Sequence, residues 1–313
     1  MPPEPLVDYQ RVVIMGAGAV GSIIGARLSP FIDTLLVCRG EHAAAIRKAG
    51  LKIGGISAET LRLEASDAIP SDLSSALVLV TAKTTSLARI AAQLQPVARA
   101  STGIVLACNG YRPERHMEPV LKGIPIQRIL VTAGAHLVEA GRVDYWGGGG
   151  IDAPDTPAGR RLAGLFRRAG FTVELFADFN VAVWRKLAAN CVINPLTALL
   201  RVRNCEVASP ALDDVRRGIV EECRAAAATE GVSIPADYSS VLDDFITRSN
   251  NVSSMLQDVL RRRPTEIDDL NGAVERLGIE RGFPAPLNSL FTRLVHAVEA
   301  GADKAVELIC PPE

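Results

Sequence analysis

An apolar run that ends in a glycine-rich turn constrains the fold of this chain more than any other feature. Residues 11–15 (RVVIM) predict a short strand, and a helical pattern opens at the glycines that follow in a GxGxxG spacing. In such a unit the first glycine permits a tight turn, the second lets the backbone approach a pyrophosphate, and the third lets helix and strand pack closely. The pattern predicts a dinucleotide site, and a glycine-rich turn without a ligand is the alternative. The predicted cofactor contacts are Gly16, Ala17, Gly18, Ala19, Val20 and Gly21.

Strand and helix patterns alternate after this turn, which is typical of βαβ units and a parallel sheet. Strand candidates occupy 34–40, 61–66, 75–83 and 102–110, and helical patterns lie at 41–50 and 86–100. Glycine-rich turns and short alternating runs in 128–154 predict antiparallel strands added to this sheet. From Asp178 onward helical periodicity dominates. We therefore predict an α/β N-terminal domain over residues 1–177 and an all-α C-terminal domain over 178–313.

Composition excludes several classes of function. The 313 residues suffice for two domains, and the net charge of −1 argues against a broad surface for nucleic acid or anionic lipid. The N-terminus shows no secretory signal and the apolar runs are too short to span a membrane, so we expect a cytoplasmic protein without a membrane partner. The cysteines form no CxxC pair and the histidines share no ligand spacing, so we expect reduced thiols and no metal. The sequence is compatible with a monomer or a homodimer.

The ends of three predicted strands carry polar residues. The second strand ends at Arg39, where an NAD site usually places an acidic residue. A guanidinium suits the 2′-phosphate of NADPH, although Arg39 is also compatible with an ordinary surface position. Lys83 and Asn109 follow two further strands, and ligands of such sheets bind beyond the carboxyl ends. Each of the two is equally consistent with contact to the nicotinamide end of a cofactor and with a solvated loop.

Residues 184–200 (WRKLAANCVINPLTALL) form an apolar helical pattern interrupted by four polar residues, Lys186, Asn190, Asn194 and Thr197. At about 100° per residue these four fall within about 80° of one another, and we call them the polar face. A helix that is otherwise apolar all round is buried, and buried amides and ammonium groups need partners. The polar face therefore predicts a cleft toward the dinucleotide-binding domain. The alternative is a lysine that extends to solvent and asparagines bonded within the fold.

Pro195 lies directly after Asn194 in this segment. It has no N–H to donate to the carbonyl of Cys191, and its ring disturbs the preceding turn. We expect the helix to kink or pause at Asn194 and the freed carbonyl to serve a ligand or a water.

A second concentration of polar residues lies in 250–272. Asn251 and Ser254 are three residues apart and share a helix face, and Glu266 follows the break at Pro264. By itself Glu266 is typical of an exposed carboxylate at a helix start, and no pattern singles it out.

Together these segments resemble the ketopantoate reductase family (2-dehydropantoate 2-reductase), over nearly the whole chain from Arg11 to about Glu299. Two segments are the most specific, WRKLAANCVINPLTAL at 184–199 and SSMLQDVLRRRPTEID at 253–268. Support comes from GAGAVG at 16–21, TAK at 81–83 and CNG at 108–110.

The resemblance implies a Rossmann N-terminal domain and an all-helical C-terminal domain, with the site between them. It also implies NADPH as hydride donor and ketopantoate as substrate, giving D-pantoate for pantothenate and coenzyme A synthesis. Lys186 matches the family's general acid, and Glu266 matches the carboxylate that engages the substrate hydroxyl. The family's polar groups around substrate and nicotinamide are matched by Asn109, Asn190, Asn194, Asn251 and Ser254, with Lys83 nearby.

Two alternatives to this function stay open at this point. Another small 2-oxo acid can be the substrate on the same scaffold, because residues outside the motifs line the pocket. A non-catalytic NADPH sensor is the other alternative, and it would have no need of Lys186 together with Glu266.

Overall fold

The computed structural model describes residues 9–147 and 150–301, and the chain divides into two compact units between Ala182 and Val183. The predicted fold class is confirmed: the first unit is an α/β domain of Rossmann type and the second is helical. The strands are β1 Arg11–Met15, β2 Asp33–Val37, β3 Leu51–Gly55, β4 Glu59–Leu61, β5 Glu64–Ser66, β6 Ala76–Val80, β7 Gly103–Leu106, β8 Ile126–Arg128, β9 Leu130–Val131, β10 Gly134–Glu139, β11 Arg142–Gly147, β12 Gly150–Pro154 and β13 Thr172–Phe176. The helices of the first unit are α1 Ala19–Leu28, α2 Gly40–Ala49, α3 Leu87–Leu94 and α4 Pro157–Arg168.

A parallel sheet in the order β5-β2-β1-β6-β7-β8 organises the first unit. Its central strands are apolar on both sides because each side faces a core. Val12 and Ile14 of β1 belong to one core, and Val13 and Met15 belong to the other. The chain runs outward from β1 to β2 and β5 and then returns past β1 to β6. The strand order therefore reverses between β1 and β6, where sheets of this kind bind their ligands.

Two smaller sheets complete the first unit, in the orders β10-β11-β3-β4 and β13-β12-β9. The prediction that the strands of 128–154 extend the parallel sheet is wrong beyond β8. Apolar residues of β11 and β12, among them Val143 and Ile151, pack instead with side chains of α1 and α4. These helices offer the strands an apolar surface that a sheet edge lacks. The candidate strand at 61–66 is likewise two strands, β4 and β5, in different sheets.

The second unit is built from helices: α5 Phe179–Leu200, which begins just before the division, α6 Asp213–Ala228, α7 Tyr238–Arg248, α8 Ser254–Leu260, α9 Asn271–Arg281 and α10 Pro286–Gly301. Residues 191–198 of α5 are all buried, as the apolar pattern predicts. Within the described residues, no helix combines the length and apolar character needed to cross a membrane.

Candidate active site

The glycine turn after β1 keeps the geometry of a phosphate-binding loop. Gly16 has a φ of +79°, and a Cβ atom there would lie 2.5 Å from the Cβ of Ala82. A Cβ at Gly21 would overlap Thr81 Oγ1. At Gly18, in contrast, a Cβ would meet only the carbonyl oxygen of Gly16, at 3.9 Å, and no side chain caps the helix start. The first-turn N–H groups of α1 therefore point to a surface that fits the pyrophosphate of a dinucleotide.

Thr81 and Ala82, at the end of β6, support this turn from behind. The N–H of Thr81 donates to the carbonyl of Met15 at 2.9 Å, and its Oγ1 donates to the carbonyl of Gly16 at 3.1 Å. Sequence reasoning did not assign this role, and the only available signal was a pair of small residues at a strand end. These contacts fix the glycine turn to the neighbouring strand.

The candidate residues of the first unit share one edge of the parallel sheet. Arg39 follows β2, Lys83 follows β6 and Asn109 follows β7, and the carboxyl ends of parallel strands lie on the same edge. Arg39 is exposed, and among the described residues its guanidinium makes no hydrogen bond or ion pair. Lys83 and Asn109 are half-buried. The structure thus aligns these three residues with the glycine turn.

Asp67 brings a carboxylate to the same edge, which sequence reasoning missed. It follows β5, the neighbour of β2, and its Oδ2 lies 3.3 Å from the position of a Cβ at Gly40, the residue after Arg39. The charge of Asp67 also affects the nearby Cys38 thiol. Burial raises the pKa of Cys38 to about 11, the positive charge of Arg47 opposes the rise, and the negative charge of Asp67 adds to it. The end of β2 thus has an acidic neighbour after all, supplied by another strand.

The polar face of α5 becomes more buried along the helix. Lys186 and Asn190 are half-buried, whereas Asn194 and Thr197 are buried. The hydroxyls of Thr197 and Ser253 lie 2.6 Å apart, and Ser253 Oγ accepts the N–H of Leu256 at the start of α8. This contact brings the polar face next to the segment that holds Asn251 and Ser254.

Asn251 and Ser254 flank this capping serine. Ser254 is the first residue of α8 and is exposed. Asn251 is half-buried, and its carbonyl accepts the N–H of Asn204 at 2.9 Å.

Glu266 is buried, with 8% of its surface exposed, so the expectation of an ordinary exposed carboxylate does not hold. The segment around it is fixed to α10. The N–H of Thr265 donates to Glu299 at 2.7 Å, and the Asp268 carboxylate lies 2.9 Å from Nε2 of His296.

Helix α5 continues through Pro195 to Leu200, so the predicted pause is wrong, while the predicted kink stays a prediction. The carbonyl of Cys191, which the proline leaves without its usual donor, accepts a hydrogen bond of 3.0 Å from the Nδ2 of Asn271. A side chain from the start of α9 replaces the missing backbone group, and this partner keeps the turn together.

Within 9–147 and 150–301, no group of three or more His, Cys, Asp or Glu side chains is arranged to hold a metal ion. The parallel sheet, the open glycine turn and the helical second unit define a two-domain, dinucleotide-binding oxidoreductase. The chain belongs to the ketopantoate reductase family. Residues 12–157 match the family model described as ketopantoate reductase PanE/ApbA, and residues 178–299 match the model of its C-terminal part.

Individual relatives agree with this assignment. The chain is 33% identical to a 2-dehydropantoate 2-reductase of Archaeoglobus fulgidus, over 93% of this chain and 99% of the relative. The crystal structure of a PanE/ApbA family ketopantoate reductase from Ralstonia eutropha JMP134 superposes with a TM-score of 0.85 at 30% identity, over 94% and 99% of the two chains. A complex of D-mandelate dehydrogenase with NADH superposes with a TM-score of 0.84 at 25% identity, over 93% and 99%.

Proposed function

We propose that this oxidoreductase reduces 2-dehydropantoate to D-pantoate with NADPH, a step of pantothenate and coenzyme A biosynthesis. The observation that carries the proposal is the family match over both units, joined to a glycine turn whose second glycine is open to a pyrophosphate. In this proposal residues 1–177 bind NADPH and residues 178–313 bind the substrate. NADPH supplies the hydride that the keto carbon accepts.

Lys186 is the proposed general acid. Hydride addition to a ketone leaves negative charge on the oxygen, and an ammonium beside that oxygen stabilises the charge and delivers a proton from Nζ. A half-buried position suits this role, because the ammonium is partly shielded from water and still accessible to a small molecule.

Glu266 is the proposed acceptor for the hydroxyl of the substrate. A buried carboxylate suits this role, because it accepts a hydrogen bond that an analogue without the hydroxyl cannot donate. The proposed polar contacts to substrate and nicotinamide are Asn109, Asn190, Asn194, Asn251, Ser254 and Lys83.

The decisive experiment follows NADPH absorbance with 2-dehydropantoate for the wild type and for Lys186→Ala. We expect kcat to fall by roughly 10²- to 10⁴-fold, the range of general acid catalysis, while NADPH still binds in a fluorescence titration. Lys122→Ala, at an exposed lysine of the first unit, is the matched control and should keep wild-type turnover. Near-wild-type turnover of Lys186→Ala would remove the proposed role.

A second candidate is an NADH-dependent reductase of a different small 2-oxo acid. Asp67 favours it, because a carboxylate near the end of β2 suits a ribose 2′-hydroxyl better than a 2′-phosphate. The structural similarity to an NADH complex of D-mandelate dehydrogenase points the same way. A panel of 2-oxo acids, each assayed with NADPH and with NADH, separates the two candidates by the ratio of kcat/KM values.

A further inference from the structure

Helix α5 contains a backbone defect within the segment that carries its polar face, on another side of the helix. Pro195 has no N–H to donate to the carbonyl of Cys191. Cys191 directly follows Asn190, and Pro195 directly follows Asn194, so the affected turn lies between these two asparagines. An unpaired buried carbonyl costs about 1–3 kcal/mol, and a proline in a helix interior ordinarily kinks or breaks the helix.

Asn271 supplies the missing donor from a position 80 residues away in the sequence. Its Nδ2 donates to the carbonyl of Cys191 and to Oδ1 of Asn288, each at 3.0 Å. Asn271 and Asn288 are completely buried.

Asn288 is itself fixed by the carboxylate of Glu222. Its Nδ2 donates to Glu222 Oε2 at 2.7 Å and its N–H donates to the same oxygen at 2.9 Å. Glu222 Oε1 accepts the N–H of Leu287 at 2.8 Å, so the carboxylate holds the first turn of α10. The Nδ2 of Asn271 therefore donates both to α5 and to an asparagine that Glu222 fixes in place.

Thr197 bonds the turn of α5 that contains Asn194 from the side of the polar face. Its Oγ1 lies 2.7 Å from the carbonyl of Ile193, 3.0 Å from the carbonyl of Asn194 and 2.6 Å from Ser253 Oγ. The turn with Asn194 is thus bonded to the start of α8 through Thr197 and to the start of α9 through Asn271.

We propose that Asn271 is a positioning residue for the substrate site: its amide replaces the N–H that Pro195 lacks and sets the direction in which Asn190 and Asn194 face. This inference rests on the proposed function of the polar face. Asn271 touches Cys191 and Asn288, so it acts through α5 and takes no part in the chemical step.

The inference is tested by a double-mutant cycle of Asn271→Ser and Pro195→Ala. Asn271→Ser should lower kcat/KM for 2-dehydropantoate by about 10-fold or more, which corresponds to about 1.4 kcal/mol, with the KM for NADPH unchanged. Pro195→Ala restores a backbone donor for Cys191, so in its presence the same substitution should cost no more than about threefold. An equal loss in both backgrounds would overturn the proposal.

Thr292→Val is the matched control for this cycle. Thr292 is a buried hydroxyl on α10 that bonds the carbonyl of Asn288 within its own helix. The factor by which Thr292→Val lowers kcat/KM should be the same in the wild-type background and in the Pro195→Ala background. A rescue of Thr292→Val by Pro195→Ala would show a general effect on stability and would overturn the specific role of Asn271.

Urea unfolding of the four variants of the cycle tests the exchange of donors independently of any reaction. Asn271→Ser should lower the urea concentration at the unfolding midpoint, and adding Pro195→Ala should largely restore it. If the changes in midpoint caused by the two substitutions simply add in the double variant, the proposal is overturned. If the wild type turns over no 2-oxo acid, the proposed function fails, and these midpoints still decide whether the amide of Asn271 replaces the backbone donor.

Discussion

Gly16, Gly18 and Gly21 belong to one motif, yet they meet different neighbours. Gly16 needs a positive φ and close contact with Ala82, and Gly21 needs close contact with Thr81. Gly18 alone has neither requirement. The first and third glycines are therefore enclosed by the fold, while the second faces open space where we propose that the ligand binds.

Two alanine substitutions should separate these roles. Gly18→Ala should keep the wild-type Tm and weaken NADPH binding, because its Cβ intrudes on the phosphate surface and not on the protein. Gly21→Ala should lower stability by about 1–3 kcal/mol, because its Cβ overlaps Thr81 Oγ1. Thermal melts and fluorescence titrations measure both effects. A lowered Tm with unchanged binding for Gly18→Ala would contradict this division.

Arg39 and Asp67 should influence cofactor choice in opposite directions. Arg39→Ala should raise the KM for NADPH by roughly 10- to 100-fold and leave the KM for NADH nearly unchanged, because only NADPH offers a 2′-phosphate to the guanidinium. Asp67→Asn removes a negative charge near that phosphate and should lower the KM for NADPH. Asp67 also lies at the positive end of α2, so Tm is measured in parallel. A raised KM for NADH in Asp67→Asn would instead favour the second candidate function.

Sequence patterns predicted the residues whose signal is local. The glycine turn and Arg39 follow from a strand and the few residues after it. Asp67 and Asn271 were missed because their partners come from a neighbouring strand and a distant helix, and no periodicity encodes such contacts.

At the scale of elements, α10 holds the segment that contains Glu266. His296 lies 2.9 Å from Asp268 and 3.0 Å from Glu299, and Glu299 accepts the N–H of Thr265. The hydrogen bond to Asp268 raises the pKa of His296, with a further contribution from Glu299, although partial burial opposes the rise. One exposed imidazole thus joins both carboxylates of this connection.

The connection to α10 should weaken at alkaline pH. A group with a raised folded pKa contributes its stability below the unfolded pKa, about 6.5 for histidine, and loses it as pH rises through the folded value. Amide hydrogen exchange over 265–268, corrected for the intrinsic effect of pH, should therefore show less protection as pH rises from about 6 to about 8. His296→Gln should remove this dependence. Equal pH profiles for variant and wild type would refute the assignment.

Element boundaries were predictable where the burial pattern was simple. The apolar runs of β1, β2, β6 and β7 predicted the centre of the sheet, and the apolar circumference of α5 predicted a buried helix. The segment 128–154 failed because its alternating strands have one apolar face each, and the pattern does not say which surface covers it. Pro195 led to the wrong prediction of a pause in α5, because a rule about local backbone geometry does not include the compensating donor from Asn271.

For the molecule as a whole, two histidines, one in each unit, have pKa values shifted in opposite directions. His42 in the first unit is 5% exposed, and its Nδ1 accepts the N–H of Gly141 at 2.8 Å, so Nε2 carries the proton toward Ser22. Burial lowers the pKa of His42. The unfolded chain then binds a proton more readily than the folded one, and the first unit loses stability as pH falls below about 6.5. The pKa of His296, in the second unit, is raised, so its contribution to stability is kept as pH falls.

Acidification from about pH 7.5 to about pH 5.5 should therefore destabilise the first unit and not the second. Hydrogen exchange resolved by peptide assigns the loss of protection to each unit, and His42→Gln should reduce the acid sensitivity of the first unit alone. Loss of protection in both units to the same extent would contradict this account.

The hydrogen bond between Asn271 and α5 has a consequence for enzyme redesign. A helix repaired by a side chain from elsewhere cannot be transplanted or shuffled alone, because a recipient chain without the matching amide would inherit the defect without its repair. Recombination of homologous genes should keep residues 186–197 and 253–271 in one block. Changes of substrate are then best sought at Asn190, which shares the polar face but lies outside the bonds that hold the turn.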